Sequence, residues 1–483
     1  MAPGDTARLY HRLTSYRAGM DFPARPAEHP LVLQDFVAND FARWPFQCKA
    51  YPDELPRVEL PREWSPVGVS ATEALVGRTT TRPLDLAGLA RVLFLSAGVV
   101  RVGERPDRPT ILFRAAGSAG GRFPQELYVS ACGVEGVENA VYWYDPVEHA
   151  LRRIAPVAGG DATTIVVTGI PWRTGWRYSE RGFRHIYWDS GTMLAQTLAL
   201  AESAGLEPRL WTRFPDAVVS RLVGADGVHE WPVALVTLGD GGPAVEPGGE
   251  AATGTIDSAP LEFPLVTAAQ RAGDTDAFGE PWAPLPLDVA PPPSPELDEV
   301  ILQRGSTRRM DATATVSRDA YAFAMTAALR GVDVPHFVAV HGVEGVEPGL
   351  YRWPDPTPLR TGDLRAELLW VCWDQDLGRD AAFVVMGVAH VEDLDDRGYR
   401  EAQLLSGIVE GRLHIAAYAQ GLGASGMTFL DSEIAALLGE PFDALLFTCV
   451  GVPSYRSKGG GRPGRPAAVV TPRPGMTEQP SPY

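Results

Sequence analysis

The chain has 483 residues, of which 45% are apolar, and its formal net charge at pH 7 is −17. It is therefore long enough for two or three globular domains, and its acidity argues against nucleic-acid binding, which needs a basic face. The four cysteines show no paired spacing that would indicate a zinc site or a disulfide framework, and no segment approaches the roughly 18 apolar residues of a membrane helix. We expect a cytoplasmic protein that binds neither a metal nor a membrane.

The lead-in, residues 1–65, is rich in proline and aromatic residues and has no counterpart at the start of the second unit described below, so we expect an appendage. Residues 66–240 form a first unit of helices and strands. Apolar periodicity predicts these elements in chain order: a helix over Leu86–Val100, strands over Leu127–Cys132, Tyr142–Tyr144 and Thr164–Thr168, a long helix over Trp188–Ala204 that ends at Gly205, a short helix over Asp216–Val223 and a strand over Val233–Leu238.

Residues 241–298 are rich in proline and glycine, which predicts an extended connector without helices. A second unit, residues 299–455, repeats the order of the first. Its predicted elements are strands over Phe337–His341, Tyr351–Trp353 and Leu368–Trp373, a helix over Ala402–Gln420 that ends at Gly421, a short helix over Asp431–Leu438 and a strand over Ala444–Val450. The tail, residues 456–483, has no periodic pattern and should be partly mobile.

The two units share a long signature at constant separation. Arg181-Gly182-Phe183-Arg184 returns as Arg397-Gly398-Tyr399-Arg400, an offset of 216 (397 − 181), and Ser190-Gly191 returns at the same offset as Ser406-Gly407. Units of roughly 200 residues are too long for a solenoid, whose repeats span about 20 to 50 residues. We interpret the chain as a gene-fused dimer of α+β units, each a mainly antiparallel sheet flanked by helices. One chain then supplies both halves of a two-fold interface, and a monomer would suffice.

Two further motifs indicate ligand binding. Arg304-Gly305-Ser306-Thr307-Arg308 is a cationic cluster with two hydroxyl groups, placed where we expect a helix to begin, and arginines and helix-start amides favour phosphate. Arg78-Thr79-Thr80-Thr81-Arg82 is its first-unit counterpart. The loop Gly117–Gly121 has small side chains that let backbone amides approach a flat or anionic ligand, and the second unit has no such loop.

In this order, the Arg-x-Ser-x-Arg cluster, the small-residue loop leading into Pro124-Gln125-Glu126-Leu127-Tyr128-Val129, and the run from Val134 to Leu151 resemble the FMN-dependent nitroreductase superfamily. More narrowly, they resemble its SagB/ThcOx-type peptide dehydrogenases. The resemblance implies FMN at the two-fold interface, in one composite site per chain. Its residues would be Arg304, Ser306 and Arg308, with Lys458 or Arg462, on the phosphate, Ser118, Gly120 and Gly121 from the other unit, and the stretch from Gly423 to Gly426 near the flavin ring.

The resemblance also implies a catalytic pair before the long helix. Azoline dehydrogenases of this branch have a Lys-Tyr pair there, and this chain has Arg177-Tyr178. Arginine is essentially never deprotonated in proteins, so Arg177 could orient substrate or stabilise anionic flavin, while Tyr178 could act as acid or base. The alternative is that both residues only cap and pack the helix. The isolated histidines His149, His185, His341 and His414 are expected to be structural.

The implied function is oxidation of azoline rings to azoles in a ribosomally made peptide, with hydride transfer to FMN. Two alternatives stay open. The protein could be a flavin oxidoreductase acting on a small molecule such as a nitroaromatic or a quinone, or a flavin-less partner that scaffolds a cyclodehydratase complex.

Overall fold

A computed structural model describes residues 2–20, 25–105 and 108–470. The lead-in and first unit contain α1 (Asp5–Thr14), β1 (Arg57–Glu59), α2 (Ala71–Leu75), α3 (Leu86–Ala97), β2 (Val99–Arg105), β3 (Arg108–Arg114), β4 (Gln125–Ser130), β5 (Val141–Asp145), β6 (Ala150–Ala155), β7 (Thr163–Gly169), α4 (Pro171–Tyr178), α5 (Gly182–Ser203), β8 (Arg209–Trp211), α6 (Asp216–Val223) and β9 (Trp231–Leu238).

The rest of the described chain contains α7 (Pro264–Ala272), α8 (Leu297–Gln303), α9 (Arg318–Ala328), β10 (His336–Val340), β11 (Gly349–Arg352), β12 (Pro358–Thr361), α10 (Arg365–Val371), α11 (Asp376–Asp380), β13 (Phe383–Ala389), α12 (Asp396–Ala419), β14 (Gly423–Met427), α13 (Ile434–Leu438), β15 (Asp443–Gly451) and β16 (Ala467–Val470). The division into five segments that the sequence predicts (1–65, 66–240, 241–298, 299–455 and 456–483) remains a proposal.

Each unit is built on an antiparallel sheet, as predicted. The first sheet has the order β1-β6-β5-β4-β7-β9-β8 and the second β12-β11-β10-β13-β15-β14. Apart from β1, the two orders correspond strand for strand, with β4 equivalent to β10 and β9 to β15. Every residue of β4, β7 and β9 is buried, because helices cover both faces of the sheet. The chain is thus two fused α+β units.

The two long helices α5 and α12 pack against each other at the centre of the molecule, where the repeated Ser-Gly pairs lie. A Cβ atom on Gly191 would overlap the backbone of α12 at Leu404 and Gly407, and one on Gly407 would overlap Trp188 of α5. Only glycine lets two helix backbones approach this closely. The repeated pair therefore exists because each copy forms half of the same helix crossing.

The repeated arginine motif joins the units by a reciprocal exchange of ion pairs. Arg181 and Arg184 of the first unit each lie 2.7 Å from Asp431 of the second. In the symmetric arrangement, Arg397 of the second unit lies 2.8 Å from Asp216 of the first. Each unit thus holds the aspartate at the start of the other unit's short helix, as expected of an isologous two-fold interface inside one chain.

The lead-in is not an appendage, which corrects the sequence-based expectation. Arg181 donates to the main-chain oxygen of Thr14 and Arg397 to that of Gly273, and the amides of Tyr16 and Thr275 donate to the two exchanged aspartates. Both pairs are 259 residues apart (273 − 14 and 275 − 16). Helix α1 therefore has a counterpart in α7. Sequence comparison misses it because the shared contacts use backbone atoms.

Two other predictions are wrong. The connector contains helix α7 and the first two residues of α8, and α7 starts with Pro264 at its first position, where proline is tolerated. The predicted strand Leu368–Trp373 is instead helix α10, with Leu364, Leu368 and Val371 buried at helical spacing, and the corresponding strand is β13. Part of the tail is ordered, since β16 pairs in parallel with β2. The remainder of the predicted mobile tail, residues 471–483, lies outside the described residues.

None of the helices in the described ranges is both long enough and apolar enough to span a bilayer.

Candidate active site

A cavity of about 410 Å³ lies between the two units, and a smaller lobe of about 220 Å³ adjoins it. This size is within the range of small-molecule and cofactor sites. The first unit contributes the Gly117–Gly121 loop, the end of α4 and one face of α5, while the second contributes Ser306, Arg308 and β14. The cavity is therefore composite, as the sequence predicts.

The small-residue loop keeps its shape through a buried carboxylate. Gly120 and Gly121 adopt positive φ angles of 60° and 64°. Ser118 Oγ donates to Asp189 Oδ2 at 2.5 Å, and the amide of Ala119 donates to Oδ1 at 3.0 Å. Ser118 and Gly120 line both lobes of the cavity and Gly121 lines the smaller one. All three predicted loop residues thus lie at the site.

The basic cluster also lies at the site, but its local structure differs from the prediction. Arg304 caps the C-terminal end of α8 and does not begin a helix, so no helix-start dipole assists anion binding. The Arg304 side chain is buried, and only Nη2 donates a hydrogen bond, to the oxygen of Ala115 at 2.6 Å. Its Nε and Nη1 atoms have no partner within the described chain. Buried donors of this kind are normally satisfied, so these two are available to an anion in the cavity.

The other predicted cofactor residues divide into two groups. Ser306 and Arg308 line both lobes, and Gly426 lines the main cavity. Gly423 instead packs against Thr307, and Lys458 Nζ donates to the main-chain oxygen of Ala468 at 2.8 Å. Neither lines the cavity, so the structure does not bring Lys458 or Gly423 to the ligand.

The predicted catalytic pair lines the main lobe of the cavity. Arg177 Nε is 3.3 Å from the Tyr178 hydroxyl, and Arg177 Nη1 donates to Asn39 Oδ1 at 3.3 Å. The Tyr178 ring stacks on His185, with 4.0 Å between ring centroids. Burial, with Arg181, Arg184 and Arg177 nearby, lowers the pKa of His185 well below its usual value. His185 is therefore neutral, and it supports the Tyr178 ring in the wall of the cavity.

Sequence reasoning missed two carboxylates in the cavity. Asp189 holds the loop, and Glu410 of α12 lies 3.5 Å from His414. Burial raises the pKa of Asp189 to about 8. A signal was present in the repeat, because at the offset of 216 these two positions align with Leu405 and Leu194. At each of these two positions, one unit has an acidic residue and the other has leucine. Both acidic residues line the same cavity, so this difference distinguishes it from its pseudo-symmetric counterpart.

Strained backbone surrounds this site. Non-glycine residues with positive φ include Asn39, Phe123, Ser179, Trp373 and Asp374, at 46° to 61°. Trp373 lines the cavity, and a bulky residue in this conformation is a rare outlier. Such strain tends to collect at functional sites.

The pseudo-symmetric position holds a different pocket, of about 390 Å³. It is lined by Thr79, Thr80 and Thr81, but Arg78 and Arg82 are exposed to solvent and Arg82 donates to the oxygen of Pro66. The connector segment 282–286 crosses this pocket. The two halves are therefore not equivalent as ligand sites.

No protein-family profile matches the chain. Among curated relatives, a protein of Methanocaldococcus jannaschii named as a nitroreductase is 27% identical over 191 residues, which cover 35% of this chain and 91% of the relative. The Microcin B17-processing protein McbC of Escherichia coli is 25% identical over 163 residues, and the match spans 29% of this chain and 59% of McbC.

Among solved structures, a protein from Anabaena variabilis named as a nitroreductase superposes with a TM-score of 0.70 at 22% identity. The superposition covers 93% of this chain and 99% of that one, so it includes both units. The chain thus has the nitroreductase fold, duplicated within one polypeptide, and sequence relatives in the nitroreductase superfamily.

Proposed function

We propose that the protein is an FMN-dependent dehydrogenase that oxidises azoline rings to azoles in a ribosomally made peptide. The observation that carries the proposal is the composite cavity, in which the buried cluster around Arg304 faces a small-residue loop from the other unit. When bound, FMN would accept a hydride from the substrate carbon.

The residues present fit this cofactor. Arg304 has two buried donors without a partner among the described residues, and with Arg308 and Ser306 beside it, it would hold the phosphate through charge-assisted hydrogen bonds. The Gly117–Gly121 loop would lie along the flavin, and Gly426 would allow close approach from β14. We no longer assign Lys458 or Gly423 to the cofactor.

Tyr178 is the residue we assign to proton transfer. Tyr178 lines the cavity, its hydroxyl lies beside the Arg177 guanidinium, and its ring is fixed by stacking on His185. The positive charge of Arg177 would stabilise an anion that develops beside it in the cavity. The pair could therefore move a substrate proton through Tyr178 and hold the charge with Arg177.

Peptide processing is supported by the similarity to the Microcin B17-processing protein, although that match spans only 59% of McbC. A peptide substrate also makes a cyclodehydratase complex a reasonable partner. The second candidate is a flavin oxidoreductase acting on a small molecule, which Arg177 in place of the family's lysine favours. A flavin-less scaffold is the third, and a yellow purified protein with bound flavin would exclude it.

The test compares wild-type protein with Tyr178→Phe on azoline-containing peptides. Wild type should remove two hydrogens per ring, detected by mass spectrometry. The variant should lose roughly 10²- to 10⁴-fold in turnover, the usual contribution of general acid–base catalysis, with unchanged flavin content. Arg177→Lys, which restores the family's pair, should retain activity. A flavin-loaded wild type that reduces nitroaromatics but leaves azolines intact would favour the small-molecule alternative.

A further inference from the structure

We propose that Arg177, positioned by Asn39, forms a carboxylate-binding clamp in the wall of the cavity, and that the substrate carries a carboxylate close to the ring that reacts. The inference rests on the proposed function, but it concerns recognition and can be measured without turnover. It gives the lead-in, which supplies Asn39, a role in substrate selection through the position of Arg177.

The first support is the charge of the smaller lobe. Five arginines line it, and no aspartate or glutamate is found among its described lining residues; the five are Arg101, Arg114, Arg177, Arg304 and Arg308. This is unexpected in a chain with a net charge of −17. A cationic cavity in an acidic protein concentrates anions.

Four of these five arginines have other tasks. Arg101 donates to the main-chain oxygens of Lys458, Leu302 and Arg304, and Arg114 donates to those of Gln125 and Gln47. Arg304 and Arg308 belong to the phosphate cluster. Arg177, at the other end of the Gly117–Gly121 loop, is the arginine left for a second anion.

The contacts of Arg177 fix its position without neutralising it. Its aliphatic stem packs against Gly120, where a Cβ atom would lie 2.5 Å from Arg177 Cδ. Its polar contacts are two neutral groups, the Tyr178 hydroxyl and Asn39 Oδ1, and in the described ranges no carboxylate pairs with it. Asn39 is itself fixed, because its φ is 61° and its main-chain amide donates to the main-chain oxygen of Trp176 at 2.8 Å.

A second cation behind the clamp increases the positive potential. The Arg122 guanidinium is held over the rings of Trp44 and Trp176, at 4.1 and 4.9 Å from their centroids. Its buried Nε has no partner in the described chain. Burial, followed by the neighbouring Arg177 charge, lowers the pKa of Arg122 to about 10. Like charges held together favour binding of an anion between or beside them.

The chemistry of arginine identifies the ligand class. A guanidinium presents a planar fork that matches a carboxylate in two parallel hydrogen bonds, whereas lysine provides a point charge. Arg177, which stands where the resembling family has lysine, is therefore suited to binding a carboxylate and unsuited to accepting a proton.

The experiment is a calorimetric titration of purified protein with benzoate and with benzamide, which has the same shape but no charge. Wild type should bind benzoate at least about tenfold more tightly, the effect of one charge-assisted hydrogen bond. Arg177→Gln should remove this preference. Asn39→Asp should also remove it, because the new carboxylate would occupy the guanidinium. Arg43→Gln, at an exposed arginine in the same part of the lead-in, should keep it.

Equal affinity for the two probes in wild type, or a preference that survives Arg177→Gln, would overturn the clamp. Flavin content measured on the same samples separates the two proposals. A flavin-free protein contradicts the proposed function. The calorimetric preference is then measured in an Arg304→Ala background, because the Arg304 cluster would itself bind benzoate when it holds no phosphate. Acetyl-glycyl-glycine and acetyl-aspartyl-glycinamide as further probes distinguish a C-terminal carboxylate from a side-chain carboxylate.

Discussion

Asp189 shows how a single buried carboxyl group shapes the site. Burial raises its pKa to about 8, and the hydrogen bonds from Ser118 and Ala119 only partly offset this effect. At neutral pH the group is therefore largely protonated, and it connects α5 to the small-residue loop without adding negative charge to the cavity.

The first prediction concerns Asp189→Asn, which mimics the neutral acid. An unfolded aspartate ionises near pH 4, whereas the folded one resists ionisation up to about pH 8. In this window the folded state binds more protons, so wild-type stability should fall as the pH rises, by up to about 1.4 kcal/mol per pH unit. In thermal melts, the stability of the variant relative to that of wild type should therefore increase from pH 5 to pH 8. Parallel pH profiles would contradict a buried neutral Asp189.

The second prediction compares two arginines that are equivalent in the repeat. Arg304→Ala removes a buried donor from the phosphate cluster and should weaken FMN binding by about tenfold to more than a hundredfold. Arg78→Ala changes an exposed residue at the corresponding position and should have little effect. Flavin fluorescence titration of the apoprotein measures both. Equal losses would show that the two halves are assigned wrongly.

At the scale of elements, the units are joined by the α5–α12 crossing and by the two exchanged aspartates. Burial alone would raise the pKa of Asp431, but Arg181 and Arg184 outweigh it and lower the pKa to about 2. The stabilisation is therefore complete above the unfolded pKa near 4 and is lost as the pH falls towards 2.

The third prediction is that Asp431→Asn destabilises the fold by about 3 to 5 kcal/mol, because it leaves buried arginines without a counter-charge. Asp216→Asn should act similarly at the symmetric position. Asp393→Asn, at an exposed aspartate, is the control and should be nearly neutral. Urea unfolding measures all three. A neutral Asp431→Asn would mean that the exchanged ion pairs do not hold the units together.

At the scale of the whole molecule, the pseudo-two-fold axis relates two sites that have diverged. One has the small-residue loop, Asp189 and Glu410. The other has leucines at the two carboxylate positions, solvent-exposed arginines and the connector segment 282–286 across its opening.

The fourth prediction follows from this asymmetry. Reconstitution with excess FMN should saturate at one flavin per chain, measured from flavin absorbance against protein concentration. A ratio near two would show that the second pocket also accepts the cofactor and that the connector does not exclude it.

The sequence by itself determined the duplication and the fold class, and it predicted most of the residues that we propose for the composite site. These features depend on local patterns that recur: the glycines ending the long helices, Gly205 and Gly421, do adopt positive φ, and the Ser-Gly pairs mark the helix crossing. The Gly117–Gly121 loop and the Arg304–Arg308 cluster could be identified from the sequence because runs of small residues and groups of like charges are uncommon.

Only the tertiary structure decided which side chains meet in the cavity. Asn39 and Arg177 are far apart in sequence, and no local pattern predicts that a lead-in asparagine with a left-handed backbone will contact the end of α4. The equivalence of α1 and α7 could not be predicted for a related reason. The repeated arginines donate to main-chain oxygens near these helices, and any residue type can supply a main-chain oxygen. Lys458 shows the converse, because a charged residue at a plausible position donates instead to the nearby strand β16.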